Sequence, residues 1–196
     1  SFMQKITRRH SFHALSLALA LAGLASLASP ARAQPGDASG FLAGMVFTSS
    51  NSSAGNELLA YSRNTDGSLM LQSSVPTGGL GSSAGLGSQG AVTLSGDGHY
   101  AFVVNALSNT VSTFAVKAHS LVLASVVPSG GLHPISVTEH DGTVYVLNDQ
   151  GDGNVAGFRN VAGQLKPLIG SSRPLSMAGG TGPAQVGFSQ NGDTVV

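Results

Sequence analysis

Short apolar runs separated by glycine-rich polar turns occupy most of this chain, and their order repeats. In the clearest repeat the runs predict four strands, at residues 89–94, 99–104, 110–116 and 121–127. The third of these alternates apolar and polar side chains with a period of two, as expected for a strand with one face on a core. The Asp97-Gly98 pair before the second run predicts a hairpin.

The next repeat has the same order, with strands predicted at residues 134–138, 143–147, 154–158 and 165–169. Four antiparallel strands in a repeat of about 45 residues are typical of a β-propeller blade. A single repeat cannot bury its apolar face alone, so successive repeats must stack against one another. The sequence therefore predicts an all-β chain built from four-stranded antiparallel propeller blades.

The repeats at the two ends of the chain are incomplete. In the first repeat, strands are predicted only at residues 42–47, 57–61 and 68–75, which match a second, third and fourth strand. In the last repeat, strands are predicted at 184–188 and 193–196. A blade without its first strand exposes an unpaired edge. We therefore expect about three and a half blades of a ring of about seven, with the missing strand supplied by residues beyond Val196. A four-bladed ring and an open stack stay open as alternatives.

Two polar features recur at fixed places in the repeats. An Asn ends an apolar run in three of them, and Asp-Gly or Asn-Gly precedes a strand in three. Both predict structural roles, because Asn bonds its own turn backbone and tolerates a left-handed conformation, while Asp-Gly forms tight hairpins. The positions are Asn51, Asn105, Asn148, Asp97, Asp141 and Asn191. The stretch 148–153 is similar to a calcium loop but lacks its final Glu, so we interpret it as the loop between two strands.

Composition narrows the classes of partner and chemistry. Only 9% of the residues are charged, and the formal net charge is zero. Binding to a phosphate backbone requires a basic face, so nucleic acid is not an expected partner. The chain has no cysteine, which excludes disulfides, thiolate metal sites and a cysteine nucleophile. We predict neither a metal nor another cofactor.

Residues 1–33 have the pattern of an export signal. A positive segment at 5–9 precedes an apolar stretch at 14–28, and Ala31-Arg32-Ala33 matches a signal-peptidase site. The apolar stretch is short for a membrane span, so we expect cleavage after Ala33 and a periplasmic or secreted protein without a span. General secretion and twin-arginine export both stay open. The predicted divisions that follow are a short linker at 34–40 and the propeller repeats at 41–196.

The repeats share a frame that consists of an Asp-Gly hairpin, a strand ending in Asn, a strand running from Asn to Phe, and a Pro-x-Gly-Gly exit. This frame is carried by Ser95–Gly98, Asn105, 109–114 and 154–158. It resembles the seven-bladed β-propeller lactonase family, which includes bacterial 6-phosphogluconolactonases and fungal carboxymuconate cyclases. The resemblance covers roughly 41–196 and implies the N-terminal part of a propeller that hydrolyses a sugar lactone or a related lactone.

The resemblance also implies a site near the central channel, where members with an assigned activity use His, Arg and Glu. His133 is the candidate general base, because lactone hydrolysis needs a base to activate water and an ordinary His titrates at about pH 6.5. Arg173 and Gln185 are candidates for binding the substrate, since a guanidinium group can grip a carboxylate or phosphate. Gln89 and Ser136 lie on or beside first strands and are further candidates for the substrate-binding set. The expected chemistry is metal-independent acid–base catalysis.

A second hypothesis is a non-catalytic propeller that binds a protein or a glycan through its loop face. A cluster of His, Arg and Glu at the channel mouth would favour the enzyme. A channel lined only by Ser, Gln and Gly would favour the binding module. The fold alone does not decide between them, because one fold supports many functions. The expected partner is therefore a small-molecule lactone or, in the alternative, a glycan or protein ligand.

Overall fold

The computed structural model describes residues 44–118, 120–175 and 182–196. The predicted signal peptide and linker, residues 1–40, lie outside this part of the chain. The described residues contain no helix long and apolar enough to cross a membrane. The strands are β1 (Met45–Ser49), β2 (Glu57–Arg63), β3 (Leu69–Pro76), β4 (Val92–Leu94), β5 (Tyr100–Asn105), β6 (Thr110–Lys117), β7 (Ser120–Pro128), β8 (Leu132–His140), β9 (Thr143–Gln150), β10 (Asn154–Val161), β11 (Gln164–Pro167) and β12 (Arg173–Pro174).

These strands form three consecutive antiparallel sheets, here called blades 1, 2 and 3. Blade 1 is β1-β2-β3, blade 2 is β4-β5-β6-β7, and blade 3 is β8-β9-β10-β11 with β12 also paired to β10. The predicted order of strands is confirmed, and among the described residues blade 1 has no counterpart of β4 or β8. In the last repeat Phe188 bridges Val195, and Gly187 and Val196 exchange two backbone hydrogen bonds of 2.8 Å. A short hairpin therefore replaces the two strands predicted there.

The core consists of side chains packed between successive blades. β5 is covered on both faces: Val103 belongs to the cluster that contains Leu58 of blade 1, and Phe102 to the cluster that contains Phe158 of blade 3. Burial on both faces explains why residues 101–104 are apolar without alternation. Each blade is thus held in place by its neighbours.

Two predicted strands are shorter in the structure, for different reasons. β4 begins at Val92 instead of 89, because Gly90 adopts a φ of 79° and its carbonyl accepts the N–H of Val137 in blade 3 (2.8 Å). The outer strand of blade 3 ends at Pro167 instead of 169. Ser171 interrupts it by accepting the N–H of Gly157 on its hydroxyl (3.0 Å) before β12 resumes the edge.

The Asp141-Gly142 hairpin between β8 and β9 is confirmed. His140 pairs with Thr143, so the loop has two residues, and their φ angles are 46° and 75°. Two positive φ angles are the mark of a type I′ turn, whose twist matches that of the flanking strands.

Asn105 and Asn148 connect blades instead of capping their own turns, which corrects the mechanism inferred from the sequence. Both are fully buried, and neither has a positive φ. Oδ1 of Asn105 accepts hydrogen bonds from Nδ2 of Asn56 (2.9 Å) and from the Thr77 hydroxyl (2.7 Å). Nδ2 of Asn148 donates to the carbonyl oxygen of Ser129 (3.4 Å). Buried polar groups need such partners, and here the partners precede the blade that carries the Asn.

Asn51, which the sequence pattern aligned with Asn105, occupies a different position. Strand pairing makes Ser50 the counterpart of Asn105. Asn51 adopts a φ of 50° and fixes the loop that follows blade 1. Its Nδ2 donates to the carbonyl oxygen of Ala84 (2.8 Å), and its Oδ1 accepts the N–H of Ser82 (2.9 Å). The left-handed conformation predicted for a repeated Asn is therefore found only at Asn51 of the three.

Candidate functional site

His133 lies at the start of β8, where the chain passes from blade 2 to blade 3. Its φ is 57°, in the left-handed region that residues other than glycine rarely adopt. Its backbone N–H donates to Oδ1 of Asn109 (2.7 Å). Pro134 follows directly, and a proline disfavours the right-handed helical conformation for the residue before it. The backbone therefore turns at His133 and is held there by a side chain of blade 2.

The imidazole of His133 is paired with a carboxylate. Its Nδ1 lies 2.6 Å from Oδ1 of Asp149 on the neighbouring strand β9. The two side chains are 19% and 24% exposed, so the pair is shielded but reachable from solvent. A carboxylate oxygen accepts hydrogen bonds, so this contact favours the tautomer that carries its proton on Nδ1 and leaves Nε2 as the acceptor nitrogen. Nε2 has no hydrogen-bond partner among the described residues.

A second His–Asp contact has a different character. His99 and Asp97 are 3.1 Å apart in a hairpin of blade 2, and both side chains are 60% exposed. The Ser95 hydroxyl donates to Asp97 (2.6 Å), and this bond, followed by one from the N–H of His99, lowers the pKa of Asp97 from 3.8 to about 2. Asp97 is thus a turn-forming carboxylate whose charge is satisfied by its own loop.

β9 also forms the wall of a pocket. Side chains alternate along a strand, so Tyr145, Leu147 and Asp149 share one face of blade 3. Leu147 packs there with Val186 of the last repeat. The pocket on this face has a volume of about 400 Å³, and its walls include Tyr145, Leu147, Val155, Arg173, Gln185 and Val195. Asp149 therefore lies on the same face, two residues beyond Leu147, with His133 beside it on β8, but neither residue lines the pocket.

The structure brings Arg173 and Gln185 to this one pocket. Arg173 is exposed, and one of its terminal nitrogens donates to the carbonyl oxygens of Gly170 (2.6 Å) and Ser172 (2.8 Å). These bonds fix the guanidinium group and leave its other N–H groups for a ligand. Gln185 is exposed as well. No group of three or more His, Asp or Glu side chains in the described ranges is arranged to hold a metal ion.

A family model described as "Lactonase, 7-bladed beta-propeller" matches residues 52–181, which is more than half of the chain. The chain belongs to this lactonase family. The match begins after β1, covers the remaining strands of the three blades and includes His133, Asp149 and Arg173.

Solved structures of other proteins have the same fold. A candidate 6-phosphogluconolactonase from Bacteroides fragilis is 15% identical with a TM-score of 0.51, and the match covers 77% of this chain and 47% of that one. The periplasmic gluconolactonase PpgL of Pseudomonas aeruginosa is 23% identical with a TM-score of 0.49, and the match covers 68% of this chain and 41% of that one. A protein of unknown function from Desulfotomaculum acetoxidans is 24% identical with a TM-score of 0.48, and the match covers 60% of this chain and 35% of that one.

The matched region spans less than half the length of each of these three structures. No curated protein matches the chain. The likeness to the Bacteroides fragilis structure, with a TM-score of 0.51 at 15% identity, supports the fold alone. The chemistry of this lactonase-family chain has to be inferred from its own residues.

The remaining candidates in this lactonase-family chain are Gln89, just before β4, and Ser136, within β8. Gln89 is exposed, and its backbone N–H donates to the carbonyl oxygen of Ala184 (3.0 Å). Ser136 is fully buried, and its hydroxyl accepts the N–H of Val186 (3.2 Å). The Ser136 hydroxyl is thus occupied in holding the last repeat and is not open to a ligand.

Sequence reasoning missed Asp149. It was interpreted only as part of the loop that begins at Asn148, whereas the structure extends β9 to Gln150. The sequence does contain a signal for Asp149: it follows the apolar Leu147 by two residues, the spacing that places two side chains on the same face of a strand. Pairing of β8 with β9 then brings it beside His133. The predicted base was found from its residue type, but its partner depends on strand register, which the sequence did not specify.

Proposed function

We propose that this lactonase-family chain takes part in hydrolysis of a lactone, with His133 as general base and Asp149 as the residue that orients it. The observation that supports this is the 2.6 Å contact between Nδ1 of His133 and Asp149 on the pocket-lining face of blade 3. A carboxylate that holds one imidazole nitrogen fixes the tautomer and makes the other nitrogen a directed base. Such a pair is suited to activation of water at neutral pH.

The reaction follows from the geometry of that nitrogen. Nε2 of His133 removes a proton from water as the water oxygen attacks the lactone carbonyl carbon. The resulting imidazolium is stabilised by Asp149. Collapse of the tetrahedral intermediate breaks the bond between the carbonyl carbon and the ring oxygen, and the imidazolium returns its proton to that oxygen. The product is a hydroxy acid, and no oxidant or other co-reactant is consumed.

Arg173 and Gln185 are the proposed substrate-binding residues. The guanidinium group of Arg173 supplies the pocket with a positive charge for a carboxylate or phosphate on the lactone. The amide of Gln185 can donate to or accept from a hydroxyl group. Gln89 is a further candidate beside the last repeat. For Ser136, burial leaves only a structural role in this proposal.

The proposed place of action is the periplasm or the cell exterior. The proposal rests on the positive segment at 5–9, the apolar stretch at 14–28 and the Ala-x-Ala site before residue 34. It is tested by N-terminal sequencing of the protein recovered from the periplasm or the medium. A mature N-terminus at Gln34 is the expected result, and an intact leader in a cytoplasmic fraction would contradict it.

Activity is tested by proton release from D-glucono-1,5-lactone and from γ- and δ-alkyl lactones, measured above the spontaneous rate. His133→Ala should lower kcat about 100-fold or more, because general-base catalysis contributes about 10²–10⁴-fold. Asp149→Asn should lower kcat with little change in KM, since it affects the tautomer of the base. His99→Ala, which removes the exposed His of the other His–Asp contact, is the matched control and should have no effect.

A specific observation also favours the binding module. The side chains of Gln89 and Gln185 are exposed and have no hydrogen-bond partner among the described residues. The backbone N–H of Gln89 bonds the carbonyl oxygen of Ala184, the residue before Gln185 (3.0 Å). Amide side chains of this kind are suited to binding sugar hydroxyls. If no lactone is hydrolysed above the spontaneous rate while a glycan array gives binding that Gln185→Ala abolishes, the binding function replaces the enzymatic one.

A further inference from the structure

We propose that Asn109 is a positioning residue for His133, acting across the junction between blades 2 and 3. This rests on the proposed function, in which His133 is the base. Asn109 lies in the turn between β5 and β6 of blade 2, and His133 begins β8 of blade 3. Oδ1 of Asn109 accepts the backbone N–H of His133 at 2.7 Å. The contact therefore ties the candidate base to the preceding blade by its backbone.

The conformation of His133 needs such a contact. A φ of 57° is disfavoured for a residue with a Cβ, and it persists only where the surroundings impose it. His133 lies next to Pro134, whose ring favours an extended conformation for the residue before it. Two local preferences thus oppose the observed backbone. The bond from His133 to Asn109 links this backbone to the rigid β5–β6 turn.

The same conformation sets the direction of the imidazole. The Cα–Cβ bond leaves the backbone in a direction fixed by φ, so a change to an ordinary negative φ would turn the side chain. Nδ1 of His133 would then lose its 2.6 Å contact with Asp149, which is held by its own place in β9. Asn109 thus acts on the reaction through His133 and does not contact the substrate.

The chain offers a clean way to remove this bond. Asn109 itself has a φ of 57°, and strand pairing makes Gly153 its counterpart in blade 3, with a φ of 63°. Glycine therefore fits this turn. Asn109→Gly removes the acceptor without imposing backbone strain at residue 109, whereas Asn109→Asp keeps an acceptor oxygen in the same place.

The test measures the imidazole directly, on the full chain labelled with ¹⁵N-histidine. Long-range ¹H–¹⁵N spectra distinguish the tautomer protonated on Nδ1 from the one protonated on Nε2. We expect His133 to be protonated on Nδ1 in the wild type and in Asn109→Asp, and to show a mixture of tautomers in Asn109→Gly. A control variant, His133→Ala, assigns the resonance.

Kinetics provide the second measurement. Asn109→Gly should lower kcat for the lactone about tenfold with KM within about twofold, because small misplacements of a catalytic group are costly, and Asn109→Asp should restore most of the loss. An unchanged tautomer in Asn109→Gly would overturn the positioning role even if kcat fell. A changed tautomer in a chain that hydrolyses no lactone would instead support the positioning role and overturn the proposed activity.

Discussion

The junction between blades 1 and 2 and the junction between blades 2 and 3 have an Asn at the same position, with different surroundings. At the first, Asn105 accepts two hydrogen bonds on Oδ1 and donates two from Nδ2, to Ser112 (2.8 Å) and Thr110 (3.1 Å). At the second, Asn148 donates one long bond of 3.4 Å, and its buried Oδ1 has no partner among the described residues. One junction is saturated with hydrogen bonds, and the other is not.

Part of the difference comes from two counterpart positions. Asn56 donates to Asn105, but its counterpart Asn109 accepts from His133 and leaves Asn148 without that bond. The counterpart of Ser112 is Ala156, which has no hydroxyl. A position that stabilises one junction is therefore used at the next junction to hold the candidate base. Such a loss of stability beside a functional group is common in proteins.

The largest expected effect comes from breaking the saturated junction. Asn105→Ala should lower the free energy of unfolding by about 3 kcal/mol, because it removes four hydrogen bonds at a buried junction. Asn56 and Thr77 each keep one other acceptor, the carbonyl oxygens of Val104 (3.1 Å) and Asn56 (3.0 Å). The matched change Asn148→Ala should cost about 1 kcal/mol, since its side chain makes one weak bond. The measurement is urea unfolding followed by circular dichroism. Equal losses for the two variants would show that the junctions do not differ in energy.

A smaller effect is expected from the glycines that pack on these two Asn side chains. A Cβ added to Gly79 would collide with the side chain of Asn105, and one added to Gly131 with those of Asn148 and Asn154. Gly79→Ala should destabilise by about 2–3 kcal/mol, at the upper end for overpacking, because hydrogen bonds prevent Asn105 from moving.

Gly131→Ala should destabilise less, by about 1–2 kcal/mol, because Asn148 is weakly bonded and Asn154 is only half-buried, with its hydrogen bonds at the surface, so both side chains can shift. The two melting temperatures, compared at one protein concentration, provide the measurement. Gly85→Ala is a suitable control, since nothing lies within 4 Å of a Cβ placed there. A greater loss at Gly131 than at Gly79 would contradict the comparison.

Much of the fold could be predicted because it depends on local signals. Alternation and Asp-Gly turns located the strands of blades 2 and 3. Errors arose where backbone groups are used by another blade. The carbonyl oxygen of Gly90, for example, accepts a hydrogen bond from Val137 in blade 3, and β4 therefore begins later than predicted. Such long-range pairing leaves no periodic trace in the sequence.

The candidate site was less predictable for the same reason. His133 could be proposed from its residue type and its place before a strand, but Asp149 required the β8–β9 register. Asn105 and Asn148 were correctly given structural roles, yet their partners outside their own blades lie 19 to 49 residues away in the chain. The repeat identified the positions, whereas the contacts between blades determine what each position does.

The smallest expected effect comes from making the second junction more like the first. Ala156→Ser places a hydroxyl at the counterpart of Ser112, which accepts from Asn105 and donates to the carbonyl oxygen of Thr77 (2.8 Å each). Ala156 borders a pocket of about 350 Å³, so one added oxygen fits without overpacking. The new hydroxyl can accept from Asn148 and donate to the carbonyl of Ser129. We expect the free energy of unfolding to rise by about 0.5–1 kcal/mol.

The control for this gain is Ala156→Cys, because a thiol has nearly the size of a hydroxyl but is a weak hydrogen-bonding group. Urea unfolding under reducing conditions should show stabilisation for the Ser variant only. If both variants stabilise equally, the gain comes from filling the pocket, and the missing hydroxyl does not explain the weak junction. If the Ser variant stabilises only when Asn148 is intact, as a double-mutant cycle with Asn148→Ala would reveal, the two positions are coupled as they are at Asn105.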